Sequence, residues 1–488
     1  MARKRKEKLR QSGLLAFELE EVLGSSPITS FAGLPLVAEA FRACGADRAV
    51  ASGPPTRVRQ RDRGLSDVQM AESFCLLLAA GGEHIDDFQI LRDDEGLAEL
   101  VGYELPSPTR AKEYLYAFDE GMGLSRGRKA QQDLFGGKVA RERGPIESLA
   151  GAVRASLRAA QLDRPAREAT IDLDASIVVS EKQQAATTYI GEKGYQPTLA
   201  YWAEQQMVLY DEFRDGNVPA GKDVLRVLQR AVEALPEGVE EVSFRSDSAA
   251  YDHDVLNWCR DEADITFAIS ADMSPELREA VTALPEEAWS HLERTPKYLK
   301  EWAEVEFIPS EPSYKKGRRP DRYLAIRVKP RQGNLFSDGS EVKHFAVVTN
   351  DWERSGPELI RWHRQKAGTI EKLHDVLKND LGAGVMPCGR FGANAAWLRL
   401  NVLCYNLLTI VRRHGLGEEL QQARPKRLRL WVLCRAGQII RHARALMVRV
   451  SWQARRLIGR IAGARRKLMQ LAWRLRLRER ARASPQPA

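Results

Sequence analysis

The sequence predicts a mixed α/β protein in four stretches: a helical N-terminal segment, a central α/β domain, a β-rich insertion within it, and a basic C-terminal tail. Three observations carry that prediction. Apolar residues recur at three- and four-residue spacing through much of residues 14–120. From residue 165 onward, short apolar runs of strand length alternate with amphipathic runs of helical length. Residues 421–488 hold 19 Lys and Arg against one acid, Glu479, a net of +18. The whole chain carries +9, so its first 420 residues carry −9.

At 488 residues, 43% hydrophobic and 29% charged, the chain has enough apolar residues for two or three cores and reads as globular. No apolar run approaches the roughly 20 residues that span a bilayer. Met1-Ala-Arg-Lys-Arg-Lys is basic with no apolar stretch behind it, so no secretory signal is expected. The cysteines (Cys44, Cys75, Cys259, Cys388, Cys404, Cys434) are scattered, which speaks against a zinc ribbon or disulfide framework and suits a reducing cytoplasm. An acidic body with a basic tail suggests a polyanionic partner, because each phosphate contacted releases counterions. DNA is the preferred partner; an anionic membrane surface is the competing one.

Taken in order, residues 31–44 and 67–80 have helical periodicity. Leu105-Pro-Ser-Pro-Thr109 makes a turn, with Thr109 the N-cap of a helix through Tyr114, Leu115 and Phe118. Short helices with tight turns, over residues 1–130, suit either a DNA-reading helix-turn-helix or a plain bundle. Arg57, Arg59, Arg61 and Arg63 alternate in a loop, and residues 121–145 read as a linker. Residues 170–179 read as a strand with Ile171, Leu173, Ala175 and Ile177 on one face. Two more strands (197–203, 206–214), a helix (222–235), a fourth strand (242–246), a helix (252–262) and a fifth strand (265–270) follow. That order is the order of the ribonuclease-H fold, which bounds a catalytic domain at residues 165–415.

From about 275 to 345 the pattern breaks into an insertion with strand candidates at 323–328 and 344–349. Its Lys315, Lys316, Arg318 and Arg319 are candidate phosphate contacts. Residues 356–415 return to helix. In the tail, residues 420–488, the stretch 427–433 alternates like a strand that Gly437 turns into a hairpin, and Arg427 and Arg429 are candidate DNA contacts. Apolar residues from Met447 to Leu468 then recur at helical spacing. Deleting residues 424–488 is expected to weaken binding to all duplexes alike.

The chemistry is carried by carboxylates. Asp172 and Asp174 project from one face of a strand, and an acidic face in a core-like strand is costly unless cations neutralise it. Asp247 ends the fourth strand, and in a ribonuclease-H order the first and fourth strands are neighbours. Hard oxygen ligands grouped this way suit Mg²⁺ or Mn²⁺. A third acid is offered by Glu371 if residues 368–381 are helical, with His374, Asp375 and Lys378 on its face and Leu373, Val376 and Leu377 on the other. Lys378 is then free to hold a DNA phosphate. Gly384, Gly389 and Gly392 form no phosphate-cradling loop, so no nucleotide cofactor is expected.

Asp172-Leu-Asp-Ala-Ser176, Gly191-Glu-Lys-Gly-Tyr-Gln-Pro197 and Arg245-Ser-Asp-Ser248, followed by Glu371-x-x-His374-x-x-x-Lys378-x-Asp380-Leu381 and Gly389-Arg-Phe-Gly-Ala-Asn-Ala-Ala-Trp397, resemble a known group. This is the thirteen-eighty family of bacterial insertion-sequence transposases, DDE enzymes of group 1 related to piggyBac transposases. The resemblance covers roughly residues 30–450. It implies Asp174, Asp247 and Glu371 as the catalytic, metal-holding acids, with Asp174 preferred over Asp172 because Ser176 follows it by two. Related transposases carry Tyr and Arg seven and four residues before that Glu, where this chain has Arg364, a candidate DNA contact, and Ala367. The resemblance further implies two Mg²⁺ or Mn²⁺ ions and cut-and-paste movement. It implies terminal inverted repeats and target DNA as duplex partners, and a homodimer on paired ends in the nucleoid, with no membrane partner. The competing readings are a catalytically silent transposase-derived DNA-binding protein and a metal-dependent nuclease without strand transfer.

Overall fold

The computed structural model describes residues 8–9, 19–20, 27–56, 58, 64–121, 137–309, 321–330, 336, 340–414, 416–442 and 445–483. Arg57, Arg59, Arg61, Arg63, Lys315, Lys316, Arg318 and Arg319 lie outside those residues.

The N-terminal region is helical, with α1 Pro35–Ala43, α2 Asp67–Ala80 and α3 Pro108–Gly121 as its main elements. Ser66 starts α2 by accepting from the Gln69 amide while the Gln69 side chain returns to the Ser66 amide, a reciprocal cap that satisfies two otherwise orphaned donors. Ser107, not Thr109, lies at the start of α3. Its hydroxyl accepts from the Arg110 amide at 3.3 Å, and Pro108 enters the first turn where its missing N–H costs nothing. A further helix, α4 Pro145–Asp163, is one that periodicity does not single out. Its Ala, Leu and Ser residues are buried on most sides, and only a narrow stripe of Glu147, Gly151, Arg154 and Arg158 faces outward.

The centre is a mixed sheet of nine strands. They are β1 Glu168–Ala175, β2 Thr198–Trp202, β3 Met207–Glu212, β4 Glu241–Ser246, β5 Thr266–Ala271, β6 Ser290–Arg294, β7 Tyr298–Val305, β8 Arg322–Pro330 and β9 Lys343–Thr349. Their order across the sheet is β6-β7-β8-β9-β5-β4-β1-β2-β3. β1, β4 and β5 run parallel, while β2 and β3 extend the β1 edge antiparallel. Helix α5 Val224–Glu233 crosses from β3 to β4. The stretch read as an insertion does not stand apart: β6 to β9 continue the same sheet, with β9 antiparallel to β5.

Beyond the sheet follow α6 Gly356–Arg364, α7 Ile370–Asn379 and α8 Phe391–Arg413. α8 is buried from Phe391 to Val411 and is clasped by α1, α2, α3 and α4 on one side and β3 on the other. Its start explains much of the Gly389–Trp397 motif as packing. A Cβ on Gly392 would stand 2.6 Å from the Asp119 Cα, Asn394 caps the Cys388 backbone, and the Trp397 indole donates to the Gly382 carbonyl at 2.8 Å. Asn406, also buried, repairs the open edge of β3 by bonding both the amide and the carbonyl of Val208.

The tail departs from its expected form. Residues 425–433 are helical, because Pro425 begins a turn and the buried residues are Leu428, Val432 and Leu433, a helical rather than an alternating set. The hairpin lies further on, Gly437–His442 against Ala445–Arg449, and Gly437 begins a strand instead of turning one. The last helix, α9 Arg455–Ala483, lays Ala464, Leu468, Leu471 and Leu475 onto the body beside α1 and α4. Since Pro425, Leu428, Val432 and Leu433 belong to the core, deleting residues 424–488 would remove packing as well as charge.

Candidate active site

β1 is buried from Ala169 to Leu173, so both of its faces are covered and its polar side chains need partners. Asp172 has found one. The register pairs it with Arg245 on β4, whose Nε and Nη2 donate to its two oxygens at 2.7 and 2.9 Å. The Thr369 hydroxyl, at the entrance to α7, donates to the same carboxylate. Arg245 spends its remaining nitrogen on the Trp362 carbonyl at 2.7 Å. Asp172 is fully buried and Arg245 is 2% exposed, so this knot ties β1, β4, α6 and α7 together. Both Asp172 oxygens being engaged, the geometry speaks against the expectation that Asp172 joins the metal ligands.

Two residues on, Asp174 is partly exposed. Asp247 stands beside it, one residue past the Ser246–Leu173 pair of the β4–β1 register. Asp247 caps a short turn, accepting from the Ala249 amide at 3.1 Å. Burial, and then the Asp174 charge, push its carboxyl above the usual carboxylate range, with Lys366 and the capping amide opposing them. Two acids thus stand on adjoining strand ends, and the neighbouring charge makes the Asp247 carboxylate costly to ionise. Hard oxygen donors with an excess of negative charge fit a divalent cation.

The buried residues of α7 (Ile370, Leu373, His374, Val376 and Leu377) face inward, so His374 lies toward the core. His374 Nε2 comes within 3.4 Å of Asp174 Oδ2 without hydrogen-bond geometry. Asp375 turns elsewhere, toward Arg424. Lys378 does not stand free: its ammonium donates to the Ser176 hydroxyl at 2.6 Å and the Ile177 carbonyl at 2.7 Å, pinning α7 to the end of β1. Burial holds its pKa below the ordinary lysine value. Glu371 remains half-exposed, with Lys366 Nζ 3.9 Å away. Among the described residues no three of His, Cys, Asp and Glu are gathered as a metal-sized cluster, so Glu371 is not brought against the aspartate pair here.

The candidate DNA contacts divide. Arg429 is enclosed, donating to the carbonyls of Leu78, Ala79 and Asp380, and is a structural brace instead of a phosphate contact. Arg364 is partly buried and 3.5 Å from Glu293. Arg427 stays exposed beside the Trp431 ring. The sequence does not single out Lys366, and His363 shows no metal-ligand spacing in it. Lys366, one turn before Glu371, places a charge that bears on Asp247, and His363 caps the Ser246 carbonyl at 3.0 Å just before it. Burial lowers the His363 pKa to about 4, so its imidazole is neutral at neutral pH. Spacing along α6 and α7 is the signal that would have found both.

A solved piggyBac transposase synaptic complex with hairpin DNA is similar to this chain, with a TM-score of 0.45 and 10% identity over 82% of this chain and 79% of that one. Among curated proteins nothing matches. The family described as transposase DDE domain group 1 matches residues 23–459, nearly the whole chain, and the chain belongs to that family.

Proposed function

We propose that the chain is a DDE transposase that binds the terminal inverted repeats of its element, cuts DNA there and joins the freed end to target DNA. The observation that carries this reading is the Asp174–Asp247 pair, set side by side at the ends of two parallel strands, with Asp247 partly buried. The strand order β3-β2-β1-β4-β5, with the last three parallel, supports a ribonuclease-H-like catalytic domain. Asp174 and Asp247 would hold Mg²⁺ or Mn²⁺, with Glu371 completing the set from α7. When bound, the ions polarise the phosphodiester and lower the pKa of the attacking hydroxyl. The chain's own work is positioning. Arg245 and Lys378 fix the strand ends and α7, so the acids keep their spacing while DNA is exchanged. Lys366 offsets the charge of Asp247 and Glu371.

Excision from a donor plasmid carrying the gene's own flanking ends, in Mg²⁺, tests the reading. Wild type is expected to excise, and Asp247→Asn and Glu371→Gln to bind ends yet cut at least a hundredfold less. Excision by neither wild type nor variants, with end binding intact, would favour the catalytically silent DNA-binding reading. Equal excision by all three would remove both acids from the site.

A further inference from the structure

Behind the Asp172–Arg245 knot, a cavity of about 90 Å³ opens between β2, α7 and α8. Tyr201, the register partner of Asp172, lines it, as does Thr369, whose hydroxyl holds Asp172. The acid pair lies two residues further along β1, about 7 Å away at the rise of a strand. Its lining contains Lys372, Arg412 and Arg424 and neither an Asp nor a Glu. Arg424 is already matched by Asp375 and Asp380. Lys372 and Arg412 make no ion pair with a described residue. Arg412 gives one nitrogen to the Gln206 side chain at 2.8 Å, while its Nε is buried with no hydrogen-bond partner.

The tyrosine pair adds one unspent donor, while the Gln206 amide already donates to Gln422 at 3.4 Å. The Tyr201 and Tyr405 hydroxyls lie 3.3 Å apart, so one donates to the other and the second proton is free. Gln206 has a left-handed backbone, φ 48°, an arrangement that costs a non-glycine residue on the order of 1 kcal/mol and here fixes its amide at the cavity rim. A buried donor without an acceptor, Arg412 Nε, is costly, and Arg412 with the exposed Lys372 at the rim leaves positive charge that no carboxylate of the lining offsets. Filling the space with water satisfies the donors but not the charge. A tetrahedral oxyanion satisfies both.

We propose that this cavity is a phosphate site, separate from the catalytic acids, taking one phosphate group between Arg412, Lys372 and the tyrosine pair. The group is either inorganic phosphate or a backbone phosphate of bound duplex; the second source rests on the DNA-handling function proposed above. Because Thr369 and Lys372 flank Glu371 on α7, an occupant ties the helix that carries the third acid to α8.

Calorimetric titration of the full chain with inorganic phosphate, without DNA or metal, tests the site. Wild type should bind with one-to-one saturation. The Lys372→Gln/Arg412→Gln variant should bind at least tenfold more weakly, and Tyr405→Phe, the milder change, severalfold more weakly. Duplex binding across a salt series separates the sources. A slope smaller by one to two in the double variant, with phosphate competing against duplex, assigns a backbone phosphate. Unchanged duplex binding with lost phosphate binding assigns the free ion. No saturable phosphate binding by wild type together with an unchanged duplex slope would overturn the proposal, as would equal phosphate binding by wild type and both folded variants. The titration needs no cleavage, so its failure is distinct from failure of the excision assay.

Discussion

Arg245 divides the work of the two aspartates of β1, because the β4 register sets its guanidinium opposite Asp172 and leaves Asp174 partly exposed beside Asp247. Removing one member of a buried, bidentate pair strands the other, a loss of about 3–5 kcal/mol. Asp172→Ala should therefore lower the unfolding midpoint sharply, whereas Asp247→Asn without metal should leave it unchanged or raise it, since it removes a buried like charge. Denaturant titration of both variants separates them; equal losses would contradict the division. Asp215 gives a pH prediction. Burial lifts its carboxyl to about 6, and one of its oxygens is buried without a partner. The folded state thus binds this proton more tightly than the unfolded one, so the contribution is favourable in acid and is lost as pH rises from about 4 to about 6. Asp215→Asn should stabilise the protein by about 2–3 kcal/mol at pH 8 and by nothing near pH 4, read from unfolding at the two values. At this scale the sequence shows that Asp174 and Asp247 lie on strands that meet. It hides the partner of Asp172, because two carboxylates on one strand face look alike until the neighbouring strand is placed.

Helix α7 turns His374 and Lys378 toward the end of β1 and is held at both ends, by Thr369 on Asp172 and by Arg424 on Asp380. The Arg424–Asp380 pair is bidentate at 2.8 Å on each arm, and Asp380 is 1% exposed. Arg424→Met should cost about 3 kcal/mol. It should also depress excision more than end binding, since it loosens the element that presents an acid. End binding that falls as far as excision would place Arg424 on the DNA instead. The strands and crossover helices are legible because their apolar runs are short and bounded by turns. α4 and residues 425–433 are not, for opposite reasons. α4 keeps only a narrow outer stripe, Glu147, Gly151, Arg154 and Arg158, beside a wide buried face of small residues, while Leu428, Leu430 and Val432 alternate in sequence although Leu430 points to solvent and Leu433 does not.

Across the whole molecule, the split between acidic body and basic tail is plain from composition, but the tail does not hang free. Several arginines of α9 are paired with the body, Arg460 to Glu419, Arg465 to Glu39 and Arg482 to Glu237. Arg456, Arg466, Lys467 and Arg476 make no ion pair with a described residue and are exposed. Changing these four to Gln should reduce the salt slope of duplex binding by up to about 3, without altering stability by more than a few tenths of a kcal/mol. An unchanged slope would move the DNA path off α9. The pairing of Arg465 with Glu39 also spans 426 residues, and Arg48 with Glu479 spans 431. At roughly 5–20 residues per second of synthesis, α1 waits about 20–90 seconds for the helix that covers it. During that interval a newborn chain is exposed to self-association, and it cannot reach its finished shape until α9 has been made. A ribosome that stops before α9 therefore releases a chain in which α1 lacks its cover.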